Sequence, residues 1–554
     1  MKIQTNPLAQ GIIREGEIKL ESLEFNTKFW AKDPTLWKQD PEHQAFIVKF
    51  LGWQKVYDWT LERIDSVVSF AQEAKSAFKH VVVMGMGGSS LAPEVFRTFF
   101  GKQSGWPELI VLDTTQPDWV GAARARMNPA ETLFIFASKS GGTVEPSSQF
   151  AYFYDEVKKS GIKTPGDNFI AITDPGTGLE KLAKDKKFRK TFLNPADIGG
   201  RFSALSMFGI VPAALMGVDV KKLLEIAKEE AQTFGPEAPV KDNAALALGA
   251  FMGACTVNES RDKLTLLTPA DFSTFGLWAE QLVAESTGKE GKGIVPVAGE
   301  TLQANFNYRV DRFFVHISTV SDDDKRITAR AKEITEDGAP LLTIQLENKY
   351  QLGAMFLLWE IATAAAGAIL AIDPFDQPNV QAAKTMTKDI LAKLAAGDVP
   401  AEVSAPLLTS PDIANQIKLG TLGQDIYSLL ESNDYVAILP YVYPDADVEK
   451  ALTALRDKVM NKTKRAVLFG YGPRYLHSTG QLHKGDGNNG VFLILSADPK
   501  NDIKIPGQKY TFGQLCNAQA LGDFQALAEK DRRVIKLHLT QPLLESIQKL
   551  TDLF

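Results

Sequence analysis

The stretch His80-Val81-Val82-Val83-Met84-Gly85-Met86-Gly87-Gly88-Ser89-Ser90-Leu91 joins a run of β-branched residues to a glycine-rich turn and the start of a helical pattern. The run predicts a buried strand, and this order of strand, tight turn and helix is typical of a parallel α/β unit. Further apolar runs follow at 109–113, 132–137 and 169–174, with helical segments between them. The alternation predicts a parallel sheet with right-handed crossovers, whose ligands bind at the carboxyl ends of the strands.

Length and the recurrence of this pattern predict several domains. At 554 residues the chain is too long for one hydrophobic core. Residues 1–75 have a helical pattern, a first α/β series covers 76–235, a second covers 236–430, and a last α/β portion covers 431–554. The predicted fold class is α/β, with parallel sheets flanked by helices in three layers.

Composition excludes several classes of partner. Apolar residues make up 44% of the chain, charged residues 23%, and the formal net charge is −6, so we expect no nucleic acid and no membrane as partner. Two cysteines do not form a disulfide framework, and the first residues lack the apolar core of a signal peptide. The apolar run 352–372 carries Glu360 at its centre, which indicates a helix buried inside a large protein. We expect a cytoplasmic protein.

Two strand ends combine glycines with hydroxyl side chains. Residues 85–90 follow the first strand, and residues 138–145 (Ser-Lys-Ser-Gly-Gly-Thr-Val-Glu) follow the third. Glycines let the backbone approach an anion, and free amides at a helix start donate to it. A dinucleotide-binding turn is the alternative, but its third glycine position is Ser90 here, and no P-loop lysine follows. The predicted phosphate-binding residues are Gly88, Ser89, Ser138, Lys139, Ser140 and Thr143.

Three further stretches carry candidates for acid–base chemistry. Glu285 ends an apolar run before a Ser-Thr-Gly turn, and a glutamate held partly out of water is a candidate general base because desolvation raises a carboxyl pKa. Arg201 follows two glycines, which indicates either close approach to a small anion or a surface ion pair. His477 and His483 lie six residues apart in a polar stretch, which favours exposure. Because no third ligand stands at metal-binding spacing, we predict no metal.

Five motifs in sequence order resemble the glucose-6-phosphate isomerase (phosphoglucose isomerase) family. Residues 85–89 are similar to its Gly-Ile-Gly-Gly-Ser turn, and residues 138–145 to its Ser-Lys-Thr-x-x-Thr-x-Glu phosphate loop. Residues 199–203 match its arginine signature, 281–289 its Gln-x-x-x-Glu-Ser-x-Gly-Lys motif, and 375–384 its C-terminal signature. The tail, as at 511–514 and 518–523, also resembles the isomerase part of bifunctional transaldolase/phosphoglucose isomerase proteins.

The resemblance implies two sugar-isomerase-type domains, 76–235 binding phosphate and 236–430 carrying the base, with a helical segment before them and an α/β extension after them. It implies interconversion of glucose 6-phosphate and fructose 6-phosphate through an enediol, in glycolysis and gluconeogenesis, by a homodimer with shared active sites and no cofactor. In this scheme Glu285 moves the proton between the two carbons and Arg201 stabilises the charge on oxygen. Ring opening is assigned to Lys384 and His483, with His477 second, while Gln281 and Gln377 orient hydroxyls.

The chain departs from the family pattern in three places. Asn379 and Gln381 replace a usual Gly and Glu, and Ala196 replaces an acidic or small polar residue. The family's ring-opening histidine normally lies between the base and the 375–384 signature, where this chain has only His316; its look-alike at 478–483 comes after the signature. Two alternatives stay open, a dual phosphoglucose/phosphomannose isomerase and a non-catalytic sugar-phosphate-binding regulator, which would not need Glu285.

Overall fold

The glycine turn after residue 84 does join a buried strand to a helix, inside a parallel sheet. The structure is a computed structural model, which describes residues 1–303, 306–319 and 325–554. Within these residues the strands form three five-stranded sheets, each flanked by helices. The predicted α/β class, with parallel sheets between helices, is confirmed.

The N-terminal segment precedes the first sheet. Its elements are β1 (Lys2–Thr5), α1 (Pro7–Ser22), α2 (Phe25–Trp30), α3 (Pro41–Ile47), α4 (Val56–Leu61) and α5 (Ile64–Ala77). The helical pattern predicted for 1–75 is correct except at its start, where β1 is a strand. It pairs antiparallel with residues 342–345 of the second sheet, a partner too distant in sequence for local pattern to indicate.

The first sheet has the strand order β3-β2-β4-β5-β6 and is parallel throughout. Its strands are β2 (His80–Met84), β3 (Glu108–Leu112), β4 (Thr132–Ala137), β5 (Phe169–Thr173) and β6 (Lys190–Leu193). The helices between them are α6 (Leu91–Phe100), α7 (Pro117–Ala125), α8 (Val144–Lys159) and α9 (Gly178–Asp185). The sequence predicted four of these strands and missed β6, a short edge strand with little burial.

The second sheet has the order β1-β10-β9-β7-β8. Helices α10 (Met207–Leu215), α11 (Val220–Ala231) and α12 (Ala244–Val257) lead into it. Its own elements are β7 (Lys263–Leu267), α13 (Ser273–Thr287), β8 (Val295–Val297), β9 (Arg312–Thr319), α14 (Lys325–Glu336), β10 (Leu341–Leu346) and α15 (Leu352–Leu370). One described helix, Lys349–Leu370, has the length and apolar composition of a membrane span, and its most apolar window is wholly buried inside the protein. The predicted buried helix is therefore what the structure contains.

The third sheet has the order β11-β15-β14-β12-β13, with only β11 antiparallel among its described strands. The helix α16 (Val380–Ala396) connects the second sheet to it. The elements that follow are β11 (Leu407–Thr409), α17 (Leu422–Leu429), β12 (Tyr435–Tyr441), α18 (Ala446–Thr463), β13 (Val467–Phe469), α19 (Gly480–Gly485), β14 (Gly490–Ala497), α20 (Phe512–Ala528), β15 (Arg533–Leu539) and α21 (Leu543–Leu553). The pattern at 385–430 predicted only a broken helical connection, so β11 is a further correction.

The third sheet is fixed to both of the others. Arg474 donates two hydrogen bonds to Asp113, at 2.7 and 2.8 Å, at the end of β3 in the first sheet. Arg456 of α18 donates to the carbonyls of Ala298 and Gly299, just after β8 in the second sheet, at 2.9 and 2.6 Å. Because Asp113, Arg456 and Ala298 are buried, these contacts hold the loops of the three sheets together in one place.

Candidate active site

A cleft of about 700 Å³ opens where α8, α16 and the loop before α19 meet. The predicted residues that line it are Ser140, Thr143, Lys384 and His477. Ser140 and Thr143 follow a strand of the first sheet, Lys384 lies on the connecting helix α16, and His477 belongs to the third sheet's part of the chain. The cleft therefore collects residues more than 300 positions apart in sequence, at the carboxyl ends of parallel strands where ligands are expected.

The loop after β4 forms one wall of the cleft. The Ser138 hydroxyl accepts a hydrogen bond from the Gly141 amide at 3.1 Å and lies 3.2 Å from the Thr143 hydroxyl. Ser140 accepts from the amide of Gly142 at 3.3 Å. Thr143 stands at the start of α8 without capping it through its side chain, and Thr143 and Val144 both line the cleft. Hydroxyl donors at the positive end of a helix are suited to a phosphate group.

The glycine turn after β2 lies against the loop that carries Arg201. Gly87 has a positive φ of 55°, and a side chain on Gly88 would overlap the backbone of Gly200. Only glycine at these positions allows the two loops to touch. This contact brings the half-buried Ser89 next to the start of the arginine loop, so the turn and the arginine signature form one continuous wall.

Lys139 is placed differently from the prediction. Its ammonium group lies 2.6 Å from Asp174 Oδ2 and donates to the carbonyl of Ala196 at 2.8 Å. The lysine was expected to supply charge to a phosphate. Its charge is instead committed to a neighbouring carboxylate, so the hydroxyls and amides of the loop are the groups left for the anion.

Glu285 and Arg201 lie side by side, and neither is among the residues that line the cleft. Glu285, near the end of α13, is 9% exposed, and its Oε1 is 3.5 Å from Nη1 of Arg201. Gln281, one turn earlier on α13, donates to Glu285 Oε2 at 3.2 Å and to the carbonyl of His477 at 2.8 Å. A single amide therefore links the predicted base to the histidine loop.

The guanidinium of Arg201 is held from several sides. Nε donates to the Ser286 hydroxyl at 2.7 Å, and Nη1 donates to Gln377 Oε1 at 2.9 Å. Nη2 donates to the carbonyls of Pro374 and Asp376 at 2.6 and 2.9 Å. A guanidinium has five N–H donors, so one N–H on Nη1 remains on the side of Glu285. The arrangement leaves a fixed positive donor beside the carboxylate.

His477 forms a pair with Glu145. Its Nε2 lies 2.9 Å from Oε1 of Glu145, which also accepts from Gln519 of α20 at 2.7 Å. Burial alone would raise the pKa of Glu145, but the charge and hydrogen bond of His477, with a contribution from nearby Lys384, hold it below its usual value. A histidine oriented by a buried carboxylate is a common acid–base unit. Glu145 and Gln519 were not predicted as site residues, although both lie in stretches that carry the resemblance.

His483 does not reach the cleft, which corrects the first choice for the ring-opening histidine. It is fully buried in α19, with its ring 5.0 Å from that of Phe492, 5.9 Å from Tyr475 and 6.4 Å from Tyr435. Burial, together with the positive charges of Lys484 and Arg532, keeps its pKa well below the usual value. The helix turns this side chain into the core of the third sheet's domain, while His477 stays at the cleft.

Lys289 is a buried cation beside the site, and the sequence indicated it only as part of a motif. Its Nζ contacts the carbonyl and the Oδ1 of Asp376 at 2.7 and 2.6 Å. Burial, followed by the charge of Arg201, lowers the pKa of Lys289 to about 8. Lys289 thus stabilises the same loop, residues 373–377, that supplies acceptors to Arg201.

One group among the described residues has the composition of a metal site. The ligand atoms of His43, Asp373 and Asp376 all lie within 4.8 Å of one another. They are already in mutual contact, because His43 Nε2 is 2.9 Å from Asp373 Oδ2 and 3.8 Å from Asp376 Oδ2. The geometry is that of an ion pair as well as of a cation site, and none of the three residues lines the cleft.

Comparison with known proteins agrees with this architecture. Residues 54–303 match the family model described as phosphoglucose isomerase. A glucose-6-phosphate isomerase of Campylobacter jejuni is 28% identical over 381 residues, which are 62% of this chain and 92% of that protein. One of Streptococcus pyogenes is 26% identical over 406 residues, 65% of this chain and 90% of that protein.

Two solved structures share the fold. A hypothetical protein of Thermus thermophilus superposes with a TM-score of 0.59 and 21% identity, covering 71% of this chain and all of that one. A glucose-6-phosphate isomerase of Chlamydia trachomatis has a TM-score of 0.54 and 18% identity, covering 70% and 86%. At these identities the similarity concerns the fold.

The parallel sheets flanked by helices and the similarity to glucose-6-phosphate isomerases define the class of the protein: it is an isomerase enzyme. The family model and the relatives narrow this class further. Residues 54–303, just under half of the chain, match the phosphoglucose isomerase family model, and the chain is similar to glucose-6-phosphate isomerases.

Proposed function

We propose that the protein interconverts glucose 6-phosphate and fructose 6-phosphate through an enediol intermediate, in glycolysis and gluconeogenesis. The observation that carries the proposal is the pairing of Glu285 with Arg201 at 3.5 Å, one linking amide away from the loop of His477. A base, a cation and an acid–base histidine are the groups that opening a sugar ring and moving a proton between neighbouring carbons require.

The phosphate group of the substrate binds to the hydroxyl loop. Ser89, Ser138, Ser140 and Thr143 and the first amides of α8 donate hydrogen bonds to it, and this remote contact holds the sugar in register for the reaction. Lys139 contributes through Asp174 and the shape of the loop rather than through direct contact.

His477 and Lys384 open the ring. The imidazole, oriented by Glu145, exchanges a proton with the ring oxygen while Lys384, which also lines the cleft, exchanges one with the hydroxyl at the anomeric carbon. General acid–base catalysis of this kind contributes about 10²–10⁴-fold to a rate. The open-chain sugar is the form that Glu285 can use.

Glu285 then removes a proton from one carbon and returns it to the neighbouring carbon. The negative charge that develops on oxygen is stabilised by the remaining N–H of Arg201, and a donor of this type is worth about 3–4 kcal/mol in a dry site. Gln281 holds Oε2 of Glu285, so Oε1, which lies 3.5 Å from Nη1 of Arg201, is the oxygen that takes the proton.

The test is a coupled assay of both directions of the reaction, with mannose 6-phosphate in parallel. Glu285→Gln should abolish turnover, by about 10²–10⁴-fold or more, without weakening sugar-phosphate binding. Glu280→Gln is the matched control, because Glu280 lies on the same helix with its pKa raised by burial to about 8, so glutamine mimics its neutral form. Near-normal turnover by Glu285→Gln would refute the proposal, and turnover of mannose 6-phosphate would support the dual specificity instead.

The finer features of the protein are part of the same proposal. We place it in the cytoplasm, where the buried, unpaired Cys255 and Cys516 remain reduced. The resemblance implies a homodimer, but each group assigned above comes from one chain. We therefore propose a homodimer in which each chain supplies all the assigned groups of its own site.

A further inference from the structure

The N-terminal segment crosses the outer side of the loop that binds Arg201. Asp40 caps α3 by accepting the backbone amide of His43 at 2.8 Å, which fixes the backbone from which the His43 side chain extends. From there the imidazole Nε2 reaches Asp373 Oδ2 at 2.9 Å, across 330 positions of sequence. The sequence had indicated nothing chemical in this part of the chain.

Asp373 is an unusual carboxylate because it is fully buried at the base of a functional loop. One of its oxygens, Oδ1, accepts the amide of Phe375 at 2.8 Å and so shapes the loop, while the other faces His43. A second carboxylate, Asp376, lies in the same loop and is neutralised by Lys289 at 2.6 Å. A buried carboxylate without a partner is costly, and among the described residues His43 is the side chain that contacts the second oxygen of Asp373.

The loop between these two carboxylates is the main support of the catalytic guanidinium. Besides Ser286, the hydrogen-bond acceptors of Arg201 belong to it, namely the carbonyls of Pro374 and Asp376 and the side chain of Gln377. A shift of the loop would therefore turn the guanidinium and move its free N–H away from the reacting oxygen. The phosphate loop, residues 138–143, makes none of these contacts.

We infer that His43 is a positioning residue for the isomerisation: by pairing with Asp373 it fixes the 373–377 loop, and the loop fixes the guanidinium of Arg201. The inference rests on the proposed function, since it concerns the role of Arg201 in that reaction. His43 does not touch the cleft, so its effect is on the rate of the chemical step and not on the capture of the phosphate.

The experiment compares His43→Ala and His43→Gln with wild type in the coupled assay. His43→Ala should lower kcat by about 10- to 100-fold with KM changed less than about 2-fold, since misplacement of a catalytic group by about 1 Å costs up to 10²-fold. His43→Gln can still donate a hydrogen bond to Asp373 and should recover part of kcat. Lys38→Ala is the matched control, because it removes another anchor of the same segment, the 2.7 Å ion pair with Glu290, without touching the loop.

A double-mutant cycle identifies the partner. In an Asp373→Asn background, where no buried charge needs neutralising, adding His43→Ala should lower kcat much less than it does in wild type. Full additivity of the effects of the two substitutions on kcat would overturn the inference. A His43→Ala protein that folds and keeps wild-type kcat would also overturn it, and so would a loss of kcat in Lys38→Ala as large as that in His43→Ala. Thermal unfolding of each variant establishes that the proteins compared are folded.

Two controls distinguish the role of His43 from the role of the active site itself and from that of a bound metal ion. If the wild-type protein does not turn over either hexose phosphate, the proposed function fails; if it does and His43→Ala is unaffected, only the inference fails. Wild-type activity that is lost in EDTA and restored by Mn²⁺ or Zn²⁺ would overturn the inference, because a metal ion bound to His43, Asp373 and Asp376 would then hold the loop.

Discussion

Replacing His477 by glutamine separates ring opening from the later proton transfer. A glutamine amide can still donate to Glu145, whose Oε1 is 2.9 Å from the imidazole, but it cannot exchange a proton with the sugar. Glu145 also keeps the Gln519 hydrogen bond at 2.7 Å, so the carboxylate is not left alone. We expect turnover of the cyclic substrate to fall by about 10²–10⁴-fold, the range for a lost general acid–base.

The matching change at His483 should have the opposite character. This ring is packed against Phe492 at 5.0 Å and is surrounded by two tyrosines. His483→Gln loses the ring contacts, about 0.5–1.5 kcal/mol, and its amide replaces two buried ring nitrogens that already lack a hydrogen-bond partner among the described residues. The free energy of unfolding should fall by about 0.5–1.5 kcal/mol, while kcat of the folded protein changes little. His483→Phe, which keeps a ring in the core, should be closer to wild type.

The assay uses two substrates, fructose 6-phosphate and an analogue without the 5-hydroxyl, which cannot close into a furanose ring. His477→Gln should reduce turnover of the first far more than of the second, because the analogue needs no ring opening. Urea unfolding gives the stability of each variant. The reasoning is refuted if His477→Gln reduces both substrates equally, or if His483→Phe selectively reduces turnover of the cyclic one.

Three further predictions follow from single contacts. Glu360 is fully buried in α15, and burial raises its pKa well above the usual value. Its contribution to the free energy of unfolding is therefore complete below about pH 4.5 and is lost, by about 1.4 kcal/mol per pH unit, as the pH rises toward the pKa of the folded state. Glu360→Gln should remove this pH dependence, which urea unfolding at pH 5 and pH 7 measures. Lys139→Met should raise KM less than Thr143→Val does, because the ammonium is already paired with Asp174; an equal rise in steady-state KM would contradict this. Specific activity should stay constant on dilution from micromolar to nanomolar enzyme, because one chain supplies the assigned groups. A loss of specific activity that follows the dissociation of a dimer, as measured by sedimentation, would show that one chain does not supply them all.

The predictable part of the fold consists of elements that depend on residues close together in sequence. The strand, glycine turn and helix at 80–91 appear as expected, because burial and backbone freedom at Gly87 are properties of a few neighbouring residues. The strand β1 could not be predicted in this way. Its four residues are mostly exposed and become a strand only by pairing with residues 342–345, more than 330 positions away.

The histidines show where sequence reasoning about the site reaches its limit. His477 and His483 lie in the same polar stretch, and composition indicated exposure for both. The structure places a short helix from residue 480 to 485, which turns the second histidine inward, while the first lies before the helix at the cleft. Which side of a helix faces the core depends on the elements that pack against it. Here that element is β14, whose Phe492 ring contacts the ring of His483.

The order of motifs along the chain therefore matters less than the way the three sheets meet. The first sheet supplies the hydroxyl loop, the second supplies α13 with Glu285, and the third supplies His477. Gln281 joins the last two directly, since one amide bonds both Glu285 Oε2 and the carbonyl of His477. Because Arg474 and Arg456 fix the third sheet to the other two, the distance between base and histidine is determined by the domain contacts. A histidine that follows the 375–384 signature in sequence thus lies one linking amide away from a carboxylate that precedes the signature.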